Sequence, residues 1–304
     1  MRRLLPLLIA LLLAVLPATA SADGGGILGG TGSFTDPPYR YVALAPHARH
    51  PLTVVERIDL RDSTIDRWWY LRGSYYLPAV AADGSAGGIS ANGTLVLSSL
   101  PRRVPPKQSK FAILDTRLFL RHPNRNADSP RHAIAKLDLP GAWGFDAISP
   151  DGSRIYLIHS FYKGPQVSRY EVRALDAGSG RLLPEPIVDP KEPDERMQGS
   201  PVTRVSSRDG RWAYTLYTGS RVRFLHALDT VEGRAVCVDL PQLEDLREPF
   251  QLRLRLVDGG RTVVVYSRDR KSAGASPLLE IDTATFALRE PAARVFFHEL
   301  LGLF

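Results

Sequence analysis

Two charged residues in this 304-residue chain stand at matching places in a repeated pattern: Asp146 lies six residues before Gly152, and Arg204 lies six before Gly210. Opposite charges on neighbouring repeats can grip a polar ligand from two sides, with Trp143 as an apolar wall. The plainer reading is an ion pair in a channel wall, because buried charges usually compensate one another. A ligand site built this way would be concave and lined by few polar groups. Replacing Asp146 or Arg204 with Ala is expected to leave folding nearly intact and to weaken ligand retention.

Other residue types bring weaker chemistry. The loop "VDPKEPDERMQGSP" at 188–201 holds Asp189, Glu192, Asp194 and Glu195, yet it lacks the alternate-position oxygens and the glycine of a calcium loop. Among the seven histidines, "HARH" puts His47 and His50 three residues apart; zinc catalysis would still need a third protein ligand. The single cysteine, Cys237, sits mid-strand in "RAVCVDLP" and reads as a small buried apolar side chain. No G-x-S-x-G elbow or phosphate-cradling glycine loop is present. The cluster "RWWYLRGSYYLP" at 67–78 has the residues to stack sugars, but period two sends Trp68 and Tyr70 to one face and Trp69 and Leu71 to the other, so half of it is core. The reading therefore assigns ligand-binding residues Trp143, Asp146 and Arg204 and no catalytic residue, metal ligand or cofactor.

The elements that must position these residues are strands. "ISANGTLVLSS", "ISPDGSRIYLIHS", "VSSRDGRWAYTLYTG" and "LVDGGRTVVVYS" each run through a turn glycine, at Gly93, Gly152, Gly210 and Gly260, into an alternating strand. Glycine and the Asn or Asp before it tolerate the positive φ of tight hairpin turns. A second step follows each turn: "FAILDT", "VRALDA", "LHALDT" and "LLEIDT", with an earlier copy in "VERIDL". Its aspartates, Asp59, Asp115, Asp176, Asp229 and Asp282, are 56, 61, 53 and 53 residues apart. Each unit holds three or four short strands, which cannot bury both faces alone. Sheets repeated around an axis solve that problem and protect the open edges. The fold class is all-β, a β-propeller with about five detectable four-stranded blades. The count rises to six or seven if "YRYVALAP" and "AVAADGSAGG" (79–88) each belong to a further degenerate blade. The first unit lacks a clear inner strand, and C-terminal residues are a candidate to complete it.

"ISPDGSRIYLI" followed by "YEVRALDAGSGRL", together with "LEIDTATFAL" at 279–288, resembles the turn-and-strand rhythm of the YVTN/YncE-like β-propeller family. The likeness runs from about residue 39 to 290. It implies the propeller fold of a bacterial secreted, WD40-like protein and no residue roles, since one fold hosts many functions.

Composition sets the compartment and the partner class. Arg2 and Arg3 precede an apolar run from Leu4 to Leu16 and then Ala18-Thr19-Ala20, the pattern of a cleaved signal peptide. The run is too short for a stable transmembrane anchor. The expected organisation is a signal peptide at 1–22, a flexible N-terminal segment at 23–38 and one β-propeller domain at 39–304. Net charge is +7, with six lysines against 33 arginines, a skew that fits the genome composition of a GC-rich bacterium. The arginines alternate with apolar residues, as in "QLRLRLVD", instead of forming one stripe, so nucleic acid is not expected as a partner. A stiff ring with proline-rich rim loops and no chemical constellation predicts an exported, monomeric, non-catalytic binding module for a protein or a cell-envelope polymer. The alternative is an extracellular hydrolase of carbohydrate or lactone with acids meeting in the channel.

Overall fold

A computed structural model describes residues 29–32, 39–44, 52–85, 87–99, 103–122, 133–194, 197–219, 222–246, 249–268 and 275–291. The signal-like residues 1–22 and the C-terminal "RVFFHELLGLF" lie outside them. The described residues form five antiparallel sheets, taken in sequence order. The first blade contains β1 (Gly29–Gly32), β2 (Tyr39–Leu44), β3 (Leu52–Asp59) and β4 (Thr64–Arg72). The second contains β5 (Thr94–Ser98), β6 (Gln108–Asp115) and β7 (Ala133–Pro140). The third contains β8 (Ala142–Ile148), β9 (Arg154–Lys163), β10 (Gln166–Asp176) and β11 (Arg181–Ile187). The fourth contains β12 (Ser200–Ser206), β13 (Trp212–Thr218), β14 (Arg223–Asp229) and β15 (Arg234–Asp239). The fifth contains β16 (Leu252–Val257), β17 (Thr262–Arg268), β18 (Ala275–Asp282) and β19 (Leu288–Arg289).

Among the described residues the architecture is a β-propeller of about five blades, with two differences from the sequence expectation. Residues 29–32, read as part of a flexible leader, pair with β2 and supply the first blade's missing strand. The second blade has three strands, and its inner position is filled only by bridges from Tyr76 to Ser98 and from Ile89 to Leu95. Between those bridges the 79–88 segment leaves the sheet instead of starting another blade. Gly87 N donates to Pro78 O (3.0 Å) and Val80 N to Ser85 O (2.8 Å), which folds it into a narrow loop. At its tip Ala82 N and Asp83 N donate to Pro201 O and Val202 O of β12, at 3.0 and 3.1 Å. This strap thus runs from the second blade to the inner strand of the fourth.

Successive side chains point to opposite faces, and central strands such as β14 are buried at every position, so consecutive blades share a core. Tyr41, Trp69, Leu95 and Leu114 join the first to the second. Val96, Ile113, Phe145 and Leu157 join the second to the third. Tyr156, Val172, Tyr217 and Leu228 join the third to the fourth. Leu216, Leu225, Leu254 and Val263 join the fourth to the fifth. Trp69 and Leu71 are buried and Trp68 and Tyr70 half-buried, as alternation requires.

The repeated aspartates all close the third position of their blades, at the ends of β3, β6, β10, β14 and β18. Each carboxylate accepts backbone N–H groups two or three residues on, such as Arg61 N for Asp59 (3.0 Å), Ser179 N for Asp176 (2.7 Å) and Thr285 N for Asp282 (2.9 Å). Where threonine follows, its hydroxyl reaches back to the turn glycine: Thr116 to Gly93 O (2.9 Å), Thr230 to Gly210 O and Thr283 to Gly260 O (both 3.0 Å). Arginine hydrogen bonds hold the Asp59 carboxyl down at about 2. Those of Asp115, Asp176, Asp229 and Asp282 are also lowered, by Arg117, by Ser179, by Arg211 against the opposing effect of burial, and by Thr285 respectively.

Two outcomes follow for stability. Depressed carboxyl values contribute stability that is complete above the unfolded value and lost as acid titrates the folded groups. Melting temperature should therefore fall steeply between about pH 4 and the value near 2 of Asp59. Asp229→Asn should be less stable than the parent at pH 7 and decline less in acid; an acid limb unchanged by that substitution would sink this account. Gly152 has φ +70°, and a Cβ there would lie 2.3 Å from Thr94 Oγ1 and 2.7 Å from Thr94 Cβ, across the blade boundary. Gly152→Ala should cost about 2 kcal/mol or more in urea denaturation. Gly164→Ala, with φ +64° and no atom within 4 Å of the new Cβ, should show the smaller backbone term alone.

Candidate functional site: a channel cavity and a buried polar seam

Alternation along β8 is broken at Asp146. The register with β9 shifts between Phe145 and Ala147, leaving Asp146 without a cross-strand partner. A bulge of this kind re-aims a side chain. Asp146 is fully buried, and its Oδ1 accepts from Nη2 of Arg204 on β12 while its carbonyl accepts from Nη1. Arg204 Nε donates to Thr215 Oγ1 at 2.8 Å, and the arginine side chain is only 7% exposed. The matching positions in the sequence therefore do bring Asp146 and Arg204 together, as an ion pair. Because the pair is buried, truncating either member is expected to cost the fold stability, contrary to the expectation from sequence.

The pair floors a cavity of about 390 Å³ beneath the strap. Its walls are Phe145, Ala147 and Ile148 from the third blade, Val205, Ser206 and Ala213 from the fourth, and Val80, Ser85 and the backbone of Gly87 and Gly88 from the strap side. Trp143 is not among the lining residues. It sits on the far half of β8, stacked on His159 with ring centroids 4.1 Å apart and planes 6° apart, and its Nε1 donates to Pro140 O at 2.8 Å. The expected apolar wall is supplied by Phe145, two residues along the same strand and on the same face.

Behind the ion pair a polar seam crosses the fourth blade toward its outer edge. Strand register aligns Arg204 with Thr215, Thr215 with His226 and His226 with Cys237. His226 is fully buried, and burial lowers its pKa to about 4, so the imidazole is neutral near pH 7. Tyr217 lies edge-on to it at 6.2 Å and stacks on Tyr170, with both phenol pKa values raised by burial. Asp146 Oδ2, both His226 nitrogens and the hydroxyls of Tyr170 and Tyr217 have no hydrogen-bond partner in the structure. Sequence reading missed this seam, although a histidine inside "VRFLHALD" on an otherwise apolar face was its one visible signal.

The acidic loop does not gather its carboxylates. Asp189 turns inward, its Oδ1 accepting from Lys191 N (2.8 Å) and its Oδ2 from Cys237 N (2.9 Å), whereas Glu192 and Asp194 are exposed. Among the described residues no three His, Cys, Asp or Glu side chains form a metal-holding group. His47, His50, His132, His298 and Glu195 lie outside the described residues. No described helix is long and apolar enough to cross a membrane.

No family model matches the chain. A stretch of 143 residues, 45% of this chain, is 28% identical to the uptake hydrogenase large subunit of Bradyrhizobium diazoefficiens and spans 21% of that protein. Among solved structures the chain is similar to Kuenenia stuttgartiensis hydrazine synthase (15% identity, 82% of this chain and 64% of that one, TM-score 0.41). It is also similar to the Dos1 propeller (9%, 84% and 56%, 0.42) and to TolB from Acinetobacter baumannii (12%, 85% and 59%, 0.35).

Removing one partner of a buried pair leaves an uncompensated charge. Asp146→Leu should therefore destabilise by about 3–5 kcal/mol in urea titration, and Asp146→Leu with Arg204→Met should recover most of that. A single variant as stable as the parent would mean that the pair is not buried as described.

Proposed function

We propose that this chain is a non-catalytic binding module that works outside the cytoplasm and holds a partner protein or a cell-envelope polymer at the mouth of its propeller channel. The observation that carries the reading is the cavity under the strap. At about 390 Å³ it is large enough for a small ligand or a protruding group of a larger partner, and its lining is shared about equally between apolar groups such as Val80 and Phe145 and polar ones such as Ser85 and Arg204. Its walls come from two blades and the strap, so a bound group would be contacted from three directions. Export is inferred from the signal-like residues 1–22, and a YVTN/YncE-like ancestry from the "ISPDGSRIYLI" and "LEIDTATFAL" stretches. The mature chain is taken as one propeller domain that works as a monomer.

The alternative, an extracellular hydrolase of carbohydrate or lactone, has less support. Glycoside cleavage needs two carboxylates facing across the bond. Among the described residues the cavity is lined by one, Asp146, whose Oδ1 is already engaged by Arg204.

The test fills the cavity without touching the ion pair. Ser206 is exposed at the end of β12 and lines the cavity. Immobilised mature protein should retain material from its own culture's envelope fraction, and Ser206→Trp should lose most of that retention while melting at the parent's temperature. Equal retention by parent and variant would remove the cavity from consideration. Turnover of a glycoside or lactone by the parent, lost in Ser206→Trp, would move the assignment to the hydrolase.

A further inference from the structure

All seven residues of β14 are buried, and His226 stands at their centre. Its imidazole is 0% exposed, and neither ring nitrogen has a hydrogen-bond partner. A buried polar group in that state costs free energy unless something completes it. The side chains around it say what that something is. His226, Cys237, Met197, Asp189 and Glu192 line one small cavity of about 10 Å³ near the outer edge of the fourth blade. The space excludes any organic ligand and suits a single ion or one water.

The donors there are unequal. Asp189 has both carboxylate oxygens engaged by backbone N–H groups, so it ties the acidic loop down and offers little to a cation. Met197 is 8% exposed and held in place where its carbonyl accepts from Tyr170 N at 3.1 Å. Cys237 faces His226 directly in the strand register and is half-buried on the outermost strand of the blade. A thiolate and a thioether are soft donors that select monovalent copper over calcium or magnesium, and imidazole nitrogen is a ligand that copper also takes.

We propose that His226, Cys237 and Met197 form a site for a soft monovalent cation of the Cu(I) class. Binding exchanges the thiol proton, released to solvent, for the metal ion, with no change of oxidation state. The imidazole binds through a ring nitrogen that is otherwise unpartnered, and the thioether closes the site from the loop. The site is independent of the channel cavity, which is lined by none of these three residues.

The experiment is an anaerobic titration of the purified protein with Cu(I), using bathocuproine disulfonate as competitor. One equivalent per chain should resist the competitor. Cys237→Ser and Met197→Leu should each weaken retention by about tenfold or more, with unchanged far-UV circular dichroism. Bound Cu(I) should also protect Cys237 from maleimide labelling. Met197→Leu conserves volume, so it keeps the test informative if the cysteine variant misfolds. Failure to hold one equivalent, or retention in Met197→Leu equal to that of the parent, would overturn the proposal. So would labelling of Cys237 at the same rate with and without Cu(I).

Discussion

The fold depends on one repeated clasp: an aspartate at the end of each blade's third position accepts the backbone N–H groups of the following turn. In three blades the next threonine hydroxyl bonds the carbonyl of the turn glycine. This joins the hairpin that starts a blade to the strand that ends its central pair. Without it, short antiparallel sheets would have only lateral ladder bonds to fix their ends. With no disulfide available to a chain that has one cysteine, such local polar closure and the shared cores between blades carry the stability.

Local physics explains what could be read from the chain. The positive-φ glycines at 93, 152, 210 and 260 and the five aspartates act over a few residues, so their types and spacing reveal them without any knowledge of tertiary structure. Alternation likewise separates Trp69 from Trp68. Long-range pairing left no such mark. Nothing in "AVAADGSAGG" says that its amides bond to β12, more than 100 residues away. The short "GGTG" strand at the first blade is equally silent, because glycine carries no side-chain pattern.

The candidate site divides the same way. Matching offsets from two turns placed Asp146 and Arg204 opposite each other, because repeats superpose. Trp143, expected as the apolar wall, shares a face with Phe145 but lies two residues farther along β8, outside the cavity, where its ring stacks on His159. His226 and Cys237 came together through cross-strand register, which single-strand periodicity does not contain.

Repeat arrays whose members touch only their neighbours can open one unit at a time from an end. The strap breaks that rule, since it leaves the second blade, hydrogen-bonds the fourth and brings the Asp83 carboxylate to 3.9 Å from Arg253 of the fifth. Blades two to five are thus laced as well as stacked. Fraying from the carboxyl-terminal side must therefore break contacts that reach back to the second blade as well as those between neighbours.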